Sequence, residues 1–199
     1  MFLDPPPSSA DTARLEQADT AERGHVMNLT RLWSWRPDVF EGFARLRNQL
    51  TSASTLSPRE LAVIVSATAA ELGDAYCALA WGSMLAQRAS PAGAAAVIRD
   101  HAPRESIELT ARDRALARWA RQLVANPNAT STEDVDHLRA AGFSEREIFE
   151  ATAFVAFRIA FSTVNDALGA RPDRQVADAA PPEVRAAVTF GRPVAEAAS

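Results

Sequence analysis

The chain has 199 residues, with 21 basic and 25 acidic side chains, a formal net charge of −4 and a single cysteine. This length fits one domain with a proper core, and one cysteine excludes an intrachain disulfide framework and a zinc site of several thiolates. All the basic residues are arginines, and they are scattered along the chain, so there is no reason to expect nucleic acid or an anionic membrane as partner. Because the chain has no lysine, a Walker-type phosphate loop is excluded.

The two ends of the chain differ in composition from its middle. Residues 1–23 contain a proline triplet and polar residues without the apolar density needed to fold alone, which predicts a mobile N-terminal arm. Residues 24–170 then form the predicted helical domain, and residues 171–199 are polar and proline-punctuated again, as expected for a C-terminal arm. No secretory signal or membrane-spanning run is present, so we expect a cytoplasmic protein.

Helical periodicity and capping motifs define the middle of the chain. A short helix is predicted near Trp33 and a second from Pro37, and the segment Arg99–Glu108 is predicted to be a loop. Capping patterns begin three of the remaining helices, at Ser57–Glu60, Thr110–Asp113 and Ser144–Glu147. Two more helices are predicted to start at Ser90–Pro91 and Thr132–Asp134, and the longest apolar run continues to about Leu168. Without any useful strand pattern, the sequence predicts an all-α, single-domain bundle of seven or eight helices.

The stretch from Leu56 to Leu85 contains the only cysteine. A helix from Pro58 to about Leu72 is followed by Gly73 as a natural stop and Asp74 as the cap of the next helix, which places Cys77 in a first helical turn. Amide dipoles at a helix start favour a thiolate, whereas the Asp74 carboxylate disfavours a second negative charge. The alternative is that Cys77 is a small apolar side chain between packed helices.

Arg158 lies in AFVAFRIAF, within a helix that is otherwise predicted to be buried. A buried guanidinium needs an anion, and the acidic candidates are Glu60, Glu71 and Asp74. One interpretation is a structural ion pair or an arginine emerging at a helix edge. The other is an anchor for a substrate carboxylate.

The segments LSPRELAVIVSA, AYCALAWG, LTARDRALARWARQL and TSTEDVDHLRAAGFSEREIFEATAFVAF, followed by NDALG, together resemble the alkylhydroperoxidase D and carboxymuconolactone decarboxylase superfamily, particularly its peroxidase-related branch. The resemblance covers roughly residues 26–169 and implies an alkylhydroperoxidase D-like helical fold. It also implies that no cofactor is needed and that the protein is a homo-oligomer.

The catalytic motif implied by this resemblance is incomplete here. Active peroxidases of the superfamily use two cysteines separated by two residues and a histidine four residues later. Cys77 matches the second cysteine, Asp74 and Trp81 occupy the first-cysteine and histidine positions, and Tyr76 also lies within the degenerate motif. A glutamate on the preceding helix completes a proton relay in those peroxidases. Glu60 matches its position only with a two-residue shift. With one thiol, an intramolecular disulfide cycle is impossible.

Three functional hypotheses follow, and whether the protein is an enzyme is left open. In the first, Cys77 reacts with a hydroperoxide and an external thiol or partner protein resolves the sulfenic acid; this predicts an accessible thiol with a depressed pKa. In the second, a cofactor-free acid–base enzyme binds a small carboxylated substrate through Arg158, with Glu60 or Glu71 as proton carrier. In the third, a binding or oligomeric scaffold has lost the chemistry, and Cys77 is buried against Trp81.

Overall fold

The computed structural model describes residues 1–100 and 108–196, and within those residues it contains eleven α-helices and no strand. A single 3-10 turn, Pro127–Ala129, follows the seventh helix. The helices are α1 Ala10–Arg23, α2 Asn28–Trp33, α3 Pro37–Ser52, α4 Pro58–Leu72, α5 Ala75–Arg88, α6 Pro91–Arg99, α7 Ala111–Ala125, α8 Thr132–Ala140, α9 Glu145–Ala167, α10 Arg174–Ala179 and α11 Pro182–Ala187. The predicted all-α class is confirmed.

The predicted number of seven or eight helices was too low, because the two predicted arms contain α1, α10 and α11. Helix α1 is closed by a capping box between Ser9 and Thr12 and by a left-handed Gly24. It buries only Thr12 and Leu15, so its sequence carries little of the apolar periodicity that predicts a helix. The mobility of the arms stays a prediction.

Local capping signals position the helices in the middle of the chain. The Ser57 hydroxyl accepts from the Glu60 amide while the Glu60 carboxylate accepts from the Ser57 amide at 2.8 Å, as a capping box requires. Helix α4 ends at Gly73, whose φ of +76° lies in the left-handed region that favours glycine. Most of the loop predicted at 99–108 falls on 101–107, outside the described residues.

Helix α4 lies at the centre of the bundle. Every residue from 60 to 69 is buried, and the helix contacts α5, α6, α7 and α9. Helix α11 packs across α5 and α6, so part of the predicted C-terminal arm belongs to the core of the same chain. No helix in the described part of the chain is long and apolar enough to cross a membrane.

Close packing between α5, α6 and α11 depends on Gly82. A Cβ atom at this position would lie 2.8 Å from Ile98 Cδ1 and 2.9 Å from Val184 Cγ1. We expect Gly82→Ala to destabilise the protein by about 1–2 kcal/mol, because overpacking outweighs the better helix propensity of alanine.

The matched control is Gly42→Ala in helix α3, where the added Cβ meets only the end of Arg45 at 3.8 Å. This variant should be stabilised by about 0.5–1 kcal/mol through helix propensity alone. Urea unfolding measures both changes, and a Gly82→Ala protein as stable as Gly42→Ala would contradict the packing argument.

Candidate functional site

The start of α5 holds Cys77 beside the end of α4. Asp74 caps the helix, and its Oδ1 accepts a hydrogen bond from the Cys77 amide at 2.9 Å. The Cys77 side chain is 4% exposed and packs with Ala69 and Ala78. The predicted position of Cys77 in a first helical turn is therefore confirmed, but the thiol is covered by protein.

Helix α9 brings Arg158 to the sulfur. Arg158 Nη2 donates to Cys77 Sγ at 2.9 Å, and the Ser162 hydroxyl, one turn later on the same face, lies 3.9 Å from Sγ. The guanidinium carbon lies 5.5 Å from the Trp81 ring centroid and 5.0 Å from that of Phe161. Arg158 is itself only 4% exposed, so a cationic donor and the thiol share one buried site.

The carboxylate predicted to pair with Arg158 is missing from the described residues. Glu60 pairs with Arg112 at 2.6 Å and Glu71 lies 3.7 Å from Arg121. No carboxylate oxygen of residues 1–100 and 108–196 lies within 4 Å of the Arg158 guanidinium, and its Nε has no hydrogen-bond partner there. The interpretation as a structural ion pair is therefore wrong for this conformation.

Burial controls the charge state of the thiol. It raises the pKa of Cys77 well above its ordinary value, the negative charge of Asp74 raises that pKa further, and Arg158 lowers it in part. The buried Oδ2 of Asp74 has no hydrogen-bond partner among the described residues. Burial therefore favours the protonated thiol form of Cys77, beside the Asp74 side chain.

A second carboxyl group lies close to this site. Asp166 is two turns after Arg158 on α9 and is partly buried; burial and the charge of Asp74 raise its pKa to about 7, while Arg192 acts in the opposite direction. Asp166 is therefore a carboxyl group close to Asp74 whose pKa is raised towards neutrality.

The raised pKa of Asp166 predicts a specific pH dependence of stability. An unfolded aspartate has a pKa near 3.9, so Asp166, at about 7 when folded, binds its proton more tightly in the folded state. The resulting stability is present below about pH 4 and is lost as the pH rises through 7. We expect Asp166→Asn to be more stable than wild type by about 1–2 kcal/mol at pH 8, allowing for partial exposure.

Urea unfolding between pH 4 and pH 8 measures this effect, since the two proteins should diverge only above about pH 4. Asp178→Asn, at an exposed position in α10, is the control and should follow wild type. Parallel curves for wild type and Asp166→Asn would contradict the assignment.

The segment after α11 covers the cysteine, and we name residues 188–195 the C-terminal strap. Val188 and Phe190 pack against the cluster that contains Cys77. Gly191 passes so close to the α4–α5 turn that a Cβ atom would lie 2.9 Å from the Ala75 amide nitrogen. Arg192 donates to the backbone oxygen of Asp166 from Nε at 3.3 Å and Nη2 at 2.7 Å.

The two other motif positions have different surroundings. Trp81 is partly buried, packs against the Cys77 cluster, and contacts the Phe154 ring edge-on at 6.3 Å. Tyr76 points to the start of α10, where its hydroxyl donates to the Asp173 carboxylate, and burial raises the pKa of Tyr76. The structure therefore brings Trp81 to the thiol and gives Tyr76 a separate buried hydrogen bond.

Glu60 lies at the opposite end of α4 from Cys77. It closes the capping box of that helix and binds Arg112. Nine residues separate it from Ala69, against which Cys77 packs, which amounts to about 13 Å along the helix. The structure does not bring Glu60 and Cys77 together.

Sequence reasoning missed the contribution of the C-terminal strap to this site. Arg192 and Phe190 were not singled out as site residues, because they lie in a segment predicted to be an arm. Asp74 was predicted from the sequence as the cap of this helix, and the structure confirms that cap.

Comparisons with known proteins establish the fold. No family model matches the chain. No curated protein matches it by sequence. A peroxidase-related protein from Ralstonia eutropha JMP134, described as an alkylhydroperoxidase AhpD core, superposes with a TM-score of 0.75 at 23% identity, covering 87% of this chain and 93% of that one.

Two further solved structures have the same fold. A peroxidase-related protein from Silicibacter sp. TM1040 has a TM-score of 0.75 at 20% identity, covering 88% of this chain and 93% of that one. The debrominase Bmp8, as a cysteine-to-alanine variant in complex with 2,3,4-tribromopyrrole, has a TM-score of 0.71 at 16% identity, with coverages of 90% and 96%. The chain therefore has the alkylhydroperoxidase D-like fold that its sequence predicted.

Proposed function

We propose that this protein is a one-cysteine oxidoreductase in which Cys77 reduces a hydroperoxide and an external thiol regenerates it. The observation that carries the proposal is the hydrogen bond from Arg158 Nη2 to Cys77 Sγ at 2.9 Å, inside a site that also contains the Asp74 carboxylate. An inert core cysteine needs only apolar neighbours, and burying two charged groups beside one is costly. A thiol that must become a nucleophile benefits from both groups.

The proposed reaction has three balanced steps. Asp74 takes the Cys77 proton while Arg158 stabilises the developing thiolate, sulfur attacks the terminal peroxide oxygen, and the O–O bond breaks to give Cys77 sulfenic acid and an alcohol that receives the proton. An external thiol then forms a mixed disulfide with Cys77 and releases water. A second external thiol restores Cys77 and leaves as a disulfide, so each peroxide consumes two thiols.

The resting conformation differs from what this hypothesis predicted at the level of sequence. An accessible thiol with a depressed pKa was expected, but Cys77 is 4% exposed and burial raises its pKa. In the proposed reaction the thiolate forms only when Cys77 transfers its proton to Asp74, instead of being present at rest. The peroxide can reach Cys77 only when the covering strap moves away. The proposal therefore depends on Asp74 as well as on Arg158.

A non-catalytic scaffold is the second candidate function, and one observation favours it: Cys77 is a buried, protonated thiol whose cluster includes Trp81. The acid–base alternative has less support, because Glu60 and Glu71 are both engaged by arginines away from Arg158.

The deciding experiment compares two reactions of the same thiol. Rates of Cys77 with cumene hydroperoxide and with iodoacetamide are measured by intact mass, with dimedone trapping the sulfenic acid. The ratio of the two rates, divided by the same ratio for free cysteine, gives a peroxide selectivity that is independent of how often the site is accessible. We expect a selectivity of at least about tenfold, because Arg158 and Asp74 assist the peroxide step.

Cys77→Ser should give no adduct in either reaction, and Glu60→Gln should keep the wild-type selectivity because Glu60 lies at the far end of α4. A selectivity close to one would reject the oxidoreductase proposal and favour the scaffold.

A further inference from the structure

The C-terminal strap is held over Cys77 by a small number of contacts. None of residues 188–195 is fully buried, and only Val188 and Phe190 pack against the cysteine cluster. Val188, Phe190 and Val194 also pack at the edge of the main core cluster. The polar contacts are those of Arg192 with the Asp166 oxygen, of Arg171 with the oxygens of Pro193 at 3.1 Å and Val194 at 2.7 Å, and of the Ala195 amide with the Pro172 oxygen at 2.8 Å. Segments with few buried apolar contacts open at a lower free energy than the core.

The core beneath the strap is held much more firmly. Helices α4, α5 and α9 supply the rest of the site, and the α4 residues beside Cys77 are fully buried. Helix α11, which ends at Ala187 just before the strap, is anchored by Val184, which is 0% exposed. Residues 188–195 can therefore separate from the site while α11 stays in place.

One position shows that the strap lies directly on the turn that presents the thiol. Gly191 has a φ of +72°, and a Cβ atom there would lie 2.2 Å from the carbonyl oxygen of Gly73 and 3.0 Å from Ala75 Cβ. Gly73 and Ala75 flank Asp74, the residue that caps Cys77. Only glycine allows this closed arrangement.

We propose that the C-terminal strap is a gate for Cys77: the thiol is unreactive while residues 188–195 are seated and becomes reactive when they lift from the α4–α5 turn. Closure also excludes water and excess oxidant from the sulfenic acid, which limits further oxidation. The inference rests on the proposed function for its biological meaning, but the gate itself is independent of the substrate.

Alkylation of the intact protein by iodoacetamide tests the gate, because its rate is the open fraction multiplied by the rate of an exposed thiol. Arg192→Ala removes two donor contacts to the Asp166 oxygen, and Gly191→Ala prevents seating at Gly73. We expect both variants to react about ten- to a hundredfold faster than wild type. Arg185→Ala, on the exposed side of α11, should react within about twofold of wild type and is the matched control.

Urea distinguishes strap opening from global unfolding. Opening a short segment exposes little surface, so the wild-type alkylation rate should rise only weakly with urea below the unfolding transition. A rate that rises with the full slope of global unfolding, or Arg192→Ala and Gly191→Ala proteins that react like Arg185→Ala, would overturn the gate. Faster alkylation combined with a peroxide selectivity near one would support the gate and reject the proposed oxidoreductase function.

Discussion

Replacing Arg158 with methionine is expected to stabilise the protein by about 1–3 kcal/mol while reducing the peroxide selectivity of Cys77 by about ten- to a hundredfold. The guanidinium is 4% exposed and has no carboxylate within 4 Å among the described residues, so the fold bears the cost of a buried charge. Methionine fills a similar volume between Trp81 and Phe161 without that cost. The same change removes the donor that stabilises the developing thiolate.

Arg121→Met is the matched control, because this guanidinium is also largely buried but is compensated. It lies 3.7 Å from Glu71 and 3.5 Å from Asp100, and it donates to the Val97 oxygen. We expect this variant to lose about 1–3 kcal/mol and to keep its peroxide selectivity. Urea unfolding and the paired rate measurement give both quantities.

A loss of stability in Arg158→Met as large as that in Arg121→Met would contradict this interpretation. It would mean that Arg158 has a counterion in the folded state, which in this site would be the Cys77 thiolate. The pH dependence of iodoacetamide alkylation supplies an independent check, since removing Arg158 should raise the pKa of Cys77 further.

The parts of the fold that sequence reasoning predicted are those that local interactions determine. The capping boxes at Ser57, Thr110 and Ser144 each involve residues three positions apart, and all three form as predicted. Gly73 ends α4 and Asp74 starts α5 for equally local reasons. The position of Cys77 in a first helical turn could therefore be predicted from a few neighbouring residues.

The surroundings of Cys77 depend on contacts between distant residues. Arg158 reaches Cys77 across 81 positions, and two of its three predicted carboxylate partners are instead engaged by Arg112 and Arg121. The helical pattern of the sequence indicates that Arg158 is buried, but it does not show which neighbouring helix places an anionic side chain next to Arg158. The position of the strap could not be predicted either, because its polar contacts are made to backbone oxygens, which every residue has.

Asp74→Asn is expected to reduce the peroxide selectivity of Cys77 by about a hundredfold, which is the usual contribution of a positioned acid–base group. The Asp74 side chain is fully buried, caps the helix that carries Cys77, and has one oxygen, Oδ2, without a hydrogen-bond partner among the described residues. In the proposed reaction it moves the thiol proton to the leaving alcohol, whereas iodide needs no proton. Asparagine is an equally good cap, so it should keep the 2.9 Å bond to the Cys77 amide and the start of α5.

Two readouts separate a proton carrier from a charge that merely suppresses the thiolate. Removing the negative charge should lower the pKa of Cys77 and also that of Asp166, because Asp74 raises both. Alkylation should therefore become faster at neutral pH while peroxide selectivity falls. Asp173→Asn, at a buried cap bound to Tyr76, should leave both rates unchanged. If Asp74→Asn accelerated both reactions equally, Asp74 would only suppress ionisation, and the proton would have to leave Cys77 by another route.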